Sequence, residues 1–231
     1  MKKSTDFRVI DFHSHILPLV DHGSDSLETS LSQLALMKKV GTDIAVATPH
    51  FYPHENTVDE FLARREKGVE ELAAAKDDGI KLAVGAEVYC VAELEKLEGL
   101  EKLTIKGTNT LLLEMPLFFW NNNLFNTVAQ LDDRFDLVLA HIDRYPSSGV
   151  ERLLDMGIRA QINAENVLRK ANRLRLEEWR DSDVIWAIGS DLHGADKITL
   201  QEFSKLQKVL KNDIEDIFAR TEELIKGAEL I

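Results

Sequence analysis

Apolar and polar positions divide the chain into two kinds of segment that alternate from one end to the other. The first kind is a short apolar run rich in Val, Ile, Leu and Ala, without a clean alternation of polar residues. Such runs are typical of parallel strands whose two faces are both buried. We therefore predict seven strands, within Arg8–His15, Asp43–His50, Lys81–Tyr89, Thr110–Met115, Asp136–His141, Arg159–Ala164 and Val184–Asp191.

The second kind of segment is amphipathic and predicts helices between the apolar runs. The apolar positions of the clearest helix, Ser26–Val40, repeat at helical spacing, and Gly41 follows its end. Further helices are predicted over Val58–Asp78, Ala92–Leu100, Asn123–Asp132, Gly149–Met156, Glu165–Trp179 and Leu200–Ala228.

The alternation of strand and helix predicts an α/β fold. Repeated right-handed βα units form either an open doubly wound sheet or a closed barrel. No glycine-rich phosphate loop of the dinucleotide-binding or P-loop type occurs in the sequence. About seven units in 231 residues favour a small (β/α) barrel, complete or incomplete.

Length and composition limit the possible classes of protein. No linker rich in Pro, Gly or Ser divides the 231 residues, so we expect one domain over residues 1–231. The formal net charge of −12 argues against general binding of nucleic acid or anionic membranes. Cys90 is the single cysteine, which excludes an intrachain disulfide and favours a reducing, cytoplasmic location. We expect no signal peptide and no membrane insertion, because no apolar run is long enough.

The apolar runs end in acidic, amide and imidazole side chains. In a parallel barrel these ends meet on one face, where active sites lie. A single such residue is commonly a hydrogen-bonded loop histidine, a solvated carboxylate or an ion-paired one, and we expect that of His54. Seven strand ends in succession instead favour a metal centre. The residues in question are His13, His15, His50, Glu87, Glu114, His141, Asn163, Asp191 and His193.

The types of candidate ligand restrict the metal. Imidazoles mixed with carboxylates, without a thiolate, suit Mn, Fe or Zn better than Ca or a structural cysteine-bound zinc. So many ligands are too many for one ion, so we expect two or three divalent ions with a bridging carboxylate. Such clusters lower the pKa of bound water and hold a phosphoryl group.

Several of these segments together resemble the polymerase-and-histidinol-phosphatase (PHP) superfamily. The bacterial tyrosine-protein phosphatases of capsular and exopolysaccharide synthesis are the most similar branch. The matching segments occur in order over most of the chain, and AHIDRY and ATPH single out this branch. They are HSHILP from His13, ATPH ending at His50, GAE ending at Glu87, LE ending at Glu114, AHIDRY ending at Tyr145, QIN ending at Asn163 and GSDLH ending at His193.

The resemblance implies a distorted (β/α)7 TIM-like barrel of PHP type that holds up to three ions, commonly manganese. His13, His15, Glu87 and Asp191 would hold the first ion. Glu87 would bridge to a second ion that Glu114 and His141 also bind. His50 and His193 would help to hold a third. By the same resemblance, Arg144 would bind the substrate phosphate; otherwise it would form a surface ion pair, for example with Asp143.

The sequence departs from the family pattern at two places. The segment Asp21-His22-Gly23 carries a histidine where the branch usually has a second acid. His22 would therefore be either a ligand of the third ion or a general acid, and His193 is the other candidate for protonating the leaving group. The family often has an arginine in the loop after His193, where this chain offers only Lys197 nearby.

The resemblance implies a metal-dependent phosphomonoester hydrolase. The favoured substrate is phosphotyrosine on a tyrosine autokinase that controls polysaccharide synthesis. The alternative is a phosphatase for histidinol phosphate or another small molecule, or a phosphodiesterase. A third hypothesis is a metal-stabilised binding domain without activity. Cys90 is not a plausible nucleophile, because position 96 is Lys96 and the Cys-x5-Arg loop of cysteine phosphatases is absent.

Overall fold

A computed structural model describes residues 7–77, 79–169, 173–210 and 213–231. Each predicted apolar run contains strand structure, and every strand pairing is parallel. The strands are β1 (Ile10–Ser14), β2 (Ile44–Ala47), β3 (His50–Phe51), β4 (Lys81–Val84), β5 (Glu87–Tyr89), β6 (Thr110–Glu114), β7 (Asp136–Leu139), β8 (Arg159–Asn163) and β9 (Ile185–Gly189).

Two of the seven predicted strands are each divided into two, so the described part of the chain has nine strands. Pro49 separates β2 from β3, since proline has no N–H to donate to a neighbouring strand. Gly85 and Ala86 separate β4 from β5. The breaks move the chain from one sheet, of order β1-β2-β4, to a second, of order β3-β5-β6-β7-β8-β9. His50 and Glu87 therefore begin new strands in the second sheet.

Helices follow most strands, as the amphipathic pattern predicts. Ser26 caps the first helix by accepting a hydrogen bond from the Thr29 amide, and Gly41 ends it at a φ of 90°. The helices are α1 (Leu27–Val40), α2 (Val58–Ala75), α3 (Asn122–Asp132), α4 (Ser147–Asp155), α5 (Ala164–Val167), α6 (Arg173–Asp181), α7 (Lys197–Leu210) and α8 (Asp213–Leu224).

Some predicted helix boundaries differ from the structure. The helix predicted over Ala92–Leu100 is wrong: the region forms two short 3-10 helices, Leu94–Lys96 and Leu100–Leu103, with Gly99 in a left-handed conformation between them. The predicted helices Glu165–Trp179 and Leu200–Ala228 each correspond to two helices, and residues 170–172 and 211–212 within them lie outside the described residues. Asp78, the predicted end of the second helix, also lies outside them.

The first strand lies beside the segment that follows the last strand. The Asp191 amide donates to the His13 carbonyl at 2.8 Å, and the His15 amide donates to the Leu192 carbonyl at 3.1 Å. The buried Asp11 carboxylate also accepts a hydrogen bond from the Ser190 amide at 2.8 Å. These bonds place the polar ends of β1 and β9 next to each other. The α/β fold with parallel sheets is thereby confirmed.

None of the helices in the described part of the chain combines the length and the apolarity needed to cross a bilayer.

Candidate metal centre

Two buried histidines at the end of β1 form the centre of the site. His13 and His15 are two residues apart and fully buried, so extended backbone directs both side chains to the same side. Their Nε2 atoms lie 3.1 Å apart. The hydrogen bond at Nδ1 of each imidazole determines its tautomer, and so whether Nε2 carries a proton or a lone pair.

The side chain of Gln161 fixes the protonation of His13. Its Oε1 accepts a hydrogen bond from the His141 amide at 2.8 Å, and a backbone N–H can only donate. The same oxygen lies 3.1 Å from His13 Nδ1, which must therefore carry a proton. The Nε2 atom of neutral His13 is left with a lone pair that faces His15. A lone pair of this kind is what a metal ion binds.

Asp21 does the same for His15. Its Oδ2 lies 2.6 Å from His15 Nδ1, so this nitrogen is also the protonated one and Nε2 faces the site. The carboxylate is held in place by the amides of His50, at 2.9 Å, and Gly23, at 2.8 Å. These hydrogen bonds from charged or partly charged groups lower the pKa of Asp21 against the effect of burial, which raises it.

Two carboxylate oxygens complete a cluster of four potential ligand atoms. Glu87 Oε2 lies 3.2 Å from His13 Nε2 and 3.3 Å from His15 Nε2. Asp191 Oδ1 lies 3.6 Å and 3.2 Å from the same two nitrogens. Four ligands held tetrahedrally at the usual distance from one ion would be about 3.4 Å apart. Lone pairs and carboxylates at this spacing need a shared cation or protons, so the residues present fit a divalent metal.

Glu87 extends from this cluster to a second group of candidate ligands. Its other oxygen, Oε1, lies 2.7 Å from His141 Nε2, and Glu114 Oε1 lies 3.9 Å from the same nitrogen. His50 Nδ1 lies 2.9 Å from Glu87 Oε2 and 3.7 Å from Glu114 Oε2. Glu87 thus offers one oxygen to each group, which is the geometry of a bridging carboxylate.

The pKa values of Glu87 and Glu114 are shifted in opposite directions. Burial and the negative charge of Glu87 raise the pKa of Glu114 to about 8. Burial also acts to raise the pKa of Glu87, but His13 and its neighbouring histidines outweigh burial and hold that pKa well below the usual range. Glu87 is therefore charged even without a metal, whereas Glu114 gains its full charge only near a cation.

His193 belongs to a third group, with His15 and His50. Its Nδ1 lies 3.0 Å from the Asp191 carbonyl oxygen, so this nitrogen donates and Nε2 has the lone pair. Nε2 is buried and has no hydrogen-bond partner. Burial and the nearby His15 lower the pKa of His193 to about 4, which keeps the imidazole neutral, the form that binds metals.

His22 lies at the rim of the site rather than among the buried ligands. It is exposed, and its ring stacks on those of His50 and His193, with centroids 5.0 Å and 4.7 Å apart. None of the three compact groups of candidate ligands among the described residues includes it.

Arg144 contacts the outer side of Asp191. Its Nη2 lies 2.5 Å from Asp191 Oδ2, whereas Asp191 Oδ1 faces the two central histidines. The alternative of a surface pair with Asp143 thus differs from the ion pair seen here. The arginine side chain is 36% exposed, so part of it remains accessible from solvent.

Two further residues named in the sequence analysis, Lys197 and His54, are exposed. Lys197 is exposed at the first residue of α7. The side chain of His54 is 58% exposed, and its ring contacts Tyr52 and Tyr89.

Comparison with known proteins identifies the family of this chain. A family model described as "Capsular polysaccharide synthesis, CpsB/CapC" matches residues 9–221. The chain belongs to the CpsB/CapC family. The resemblance inferred from the motifs is confirmed.

Named relatives of this CpsB/CapC chain are described as phosphatases. It is 30% identical over 209 residues to the tyrosine-protein phosphatase CpsB of Streptococcus pneumoniae, covering 81% of this chain and 84% of the relative. It is 27% identical over 210 residues to the tyrosine-protein phosphatase YwqE of Bacillus subtilis, covering 80% and 77%.

A solved structure shares the fold of this CpsB/CapC chain. It belongs to a study of YwqE and CpsB as "unique metal-dependent tyrosine phosphatases" and matches with a TM-score of 0.77. The match has 20% sequence identity and covers 94% of this chain and 92% of the other.

Two polar residues of the CpsB/CapC site, Asp21 and Gln161, are absent from the set predicted from the sequence, and Asn163 is named there without a partner. Asp21 contacts His15, Gln161 contacts His13, and Asn163 Nδ2 donates to Asp191 Oδ2 at 2.8 Å. Gln161 and Asn163 end a predicted strand, and Asp21 directly precedes His22. Their positions are visible in the sequence, but the partners that give them a role are not.

The backbone is strained at two site residues. His141 has a φ of 33° and Asp191 a φ of 54°, both in the left-handed region that costs non-glycine residues free energy. Each residue lies two positions after the end of a strand, His141 after β7 and Asp191 after β9. Strain of this kind at two candidate ligands is consistent with a functional centre.

Proposed function

We propose that this chain is a metal-dependent protein-tyrosine phosphatase that hydrolyses phosphotyrosine monoesters. The observation that carries the proposal is the cluster of four potential ligand atoms around His13 and His15, which Glu87 connects to a second group. The names of the relatives confirm the predicted enzyme class and favour it over a small-molecule phosphatase.

The proposed metal ligands are eight of the nine candidates from the sequence, and the ninth, His22, takes another role. His13, His15, Glu87 and Asp191 hold one ion; Glu87, Glu114 and His141 a second; and His50 and His193, next to His15, a third. We propose two or three divalent ions. The mixed imidazole and carboxylate ligands suit Mn, Fe or Zn, and the family resemblance favours Mn among these. When bound, such ions polarise the phosphoryl oxygens and lower the pKa of a bound water.

The remaining site residues bind the substrate and move a proton. Arg144 would offer a planar pair of donors to the phosphate oxygens, and Asp191 would be freed from its ion pair with Arg144 when it binds a metal. We assign His22 to protonation of the leaving phenolate rather than to metal binding, because it is exposed at the rim and outside the compact ligand groups. His193, whose buried Nε2 faces the site, is the ligand of the two.

The finer features of fold and setting are part of the same proposal. We infer that the two parallel sheets form one distorted (β/α)7 barrel of PHP type within a single domain, supported by the hydrogen bonds between β1 and the segment after β9. The substrate we propose is a phosphotyrosine-bearing bacterial autokinase of capsule synthesis. A cytoplasmic location would suit the single buried cysteine.

Metal restoration tests the reaction. Chelator-treated protein should not hydrolyse p-nitrophenyl phosphate, and Mn, Fe, Zn or Mg added one at a time should restore turnover with at least one metal. Folded protein that shows no turnover with any of these metals would disprove the phosphatase assignment.

Variants test the residue roles, with His54→Ala as the matched histidine control. His141→Ala and Glu87→Gln should lose bound metal and turnover, while His54→Ala should retain both. His22→Ala should keep the metal content of the unmodified protein and lose turnover on substrates with poor leaving groups. A loss of one metal equivalent in His22→Ala would instead make this residue a ligand.

A further inference from the structure

Residues 116–120 form a loop that exposes large apolar side chains directly after β6. Leu117 is 49% exposed, Phe118 66% and Phe119 95%. The rings of Phe118 and Phe119 meet edge to face with centroids 6.4 Å apart. An exposed cluster of this kind, which we call the Phe118 loop, marks an interaction site more often than scattered apolar residues do.

The base of the loop is fixed in place. Trp120 Nε1 donates a hydrogen bond to the Pro116 carbonyl at 2.5 Å and so closes the loop. The Trp120 ring packs edge to face on Tyr145 and Phe125, with centroids 5.3 Å and 5.9 Å away. The two phenylalanines are therefore presented by an anchored loop.

The backbone that presents Phe119 is strained. Its φ of 66° lies in the left-handed region, which costs a bulky residue about 1–2 kcal/mol. A glycine or asparagine would remove most of this cost. The chain instead keeps a phenylalanine whose ring is almost wholly in solvent, and that ring contributes little to the stability of the isolated protein.

The loop adjoins the candidate metal centre. Pro116 is two residues after Glu114, and the Met115 amide donates to Tyr145 Oη at 2.9 Å. The ring of Tyr145 in turn lies 5.5 Å from that of His141. A substrate whose phosphoryl group lay at the metal centre would therefore leave the site close to this loop.

The chemistry of the loop indicates an apolar partner. No charged residue occurs from Met115 to Leu131, in a protein of which 29% of the residues are charged. The loop itself therefore offers no ion pair to a partner, and burial of its apolar area supplies binding free energy.

We propose that the Phe118 loop docks apolar side chains of the polypeptide that flanks the phosphotyrosine of a protein substrate. This inference rests on the proposed function and adds a determinant of substrate choice. A small phosphate ester has no flanking polypeptide that could cover both Phe118 and Phe119. A phosphorylated polypeptide continues past the opening and can bury both rings.

The test compares three substrates in one variant. Phe118→Ser/Phe119→Ser should lower kcat/KM about tenfold for a phosphotyrosine peptide with leucine and phenylalanine flanks, the size expected from the loss of an aromatic contact. The same variant should hydrolyse p-nitrophenyl phosphate as well as the unmodified protein does. For a peptide with serine flanks, kcat/KM should differ little between the variant and the unmodified protein.

Leu174→Ser/Ile198→Ser is the matched control, since these residues are 79% and 66% exposed on two other elements, α6 and α7. This control variant should have unchanged kcat/KM values for both peptides. Phe119→Gly, which suits the positive φ, should fold and still lower kcat/KM for the apolar peptide. Equal kcat/KM values for the apolar peptide in all proteins would overturn the docking proposal alone. Failure of the unmodified protein on p-nitrophenyl phosphate with every metal would instead overturn the phosphatase assignment.

Discussion

The oxygen of Gln161 accepts hydrogen bonds from both His13 Nδ1 and the His141 amide, and so connects two candidate metal ligands from different strands. Its amide nitrogen donates to Asn163 Oδ1 at 2.7 Å, and Asn163 donates onward to Asp191. Two uncharged side chains at the end of β8 thereby orient three ligands. Hydrogen bonds to the outer nitrogen of a ligating histidine fix its ring and tautomer.

We predict that Gln161→Leu lowers metal affinity about 10- to 100-fold, the usual effect of removing such a partner. Without the Gln161 oxygen, His13 is free to hold its proton on Nε2, where it would block the metal. Calorimetric titration with Mn²⁺ measures the affinity, and the ¹⁵N chemical shifts of the His13 ring report the tautomer directly.

Thr221→Val is the control for loss of a buried hydrogen bond alone. Thr221 Oγ1 donates to the Trp186 carbonyl at 2.8 Å on the far side of β9. This variant should lower the free energy of unfolding by about 1 kcal/mol and leave metal affinity unchanged. If Gln161→Leu behaved in the same way, Gln161 would be structural only.

Metal binding should release protons and strengthen as the pH rises. Burial acts to lower the pKa of His15, but its hydrogen bonds to Asp191, Asp21 and Glu87 together raise that pKa well above 6.5. The metal-free protein therefore holds a proton on His15 at neutral pH, and a metal must displace it. Titrations in buffers of different ionisation enthalpy should show proton release between pH 6 and 8.

The raised pKa of His15 also makes the stability of the metal-free protein depend on pH. Because the folded-state pKa is raised, protonated His15 stabilises the metal-free fold below pH 6.5, and this contribution is lost as the pH rises through the folded-state pKa. The increase in Tm on adding Mn²⁺ should therefore be larger at pH 8 than at pH 6. An increase that does not change with pH would show that no proton is displaced.

The sequence alone predicts which strand ends meet, because parallel strands place their carboxyl ends on one face. This is why His13, Glu87 and Asp191, far apart in the chain, could be named together. The hydrogen bonds of Gln161 and Asp21 could not be predicted, since they depend on the register between β7 and β8 and on the path of the loop after β1. The division of two apolar runs into β2, β3, β4 and β5 was also missed, although Pro49 and Gly85 mark the breaks.

The sequence also does not distinguish the buried from the exposed aromatic residues in the segment after Glu114. The structure divides it, because Trp120 finds a partner for its indole N–H at Pro116 and packs inward, while Phe119 points outward. Only the three-dimensional surroundings distinguish an anchoring ring from an exposed one.

We predict that Gly149→Ala destabilises the protein by about 1–3 kcal/mol, the usual cost of overpacking. Alanine normally stabilises a helix relative to glycine by about 1 kcal/mol, and Gly149 lies within α4. A Cβ atom at this position would, however, lie 2.4 Å from Trp120 Cε3, so the indole must move. Urea unfolding measures the change, and Ser148→Ala, an exposed neighbour on the same helix, should have little effect.

A stabilised Gly149→Ala variant would show that Trp120 moves without cost. If the indole is displaced as expected, the Phe118 loop loses its anchor. The variant should then also lose part of its preference for the peptide with apolar flanks, while its hydrolysis of p-nitrophenyl phosphate is retained.

Cys90 should take no part in turnover. The residue is fully buried, and burial, with a smaller contribution from Glu95, raises the pKa of its thiol to about 12. At pH 8 only about one molecule in 10,000 would carry the reactive thiolate, so iodoacetamide should neither label Cys90 nor inactivate the folded protein. Cys90→Ala should retain metal content and kcat, whereas chelation should abolish turnover in both proteins. Inactivation in step with labelling of Cys90, protected by phosphate, would instead assign the thiol a place in the site and contradict a reaction that depends on metals alone.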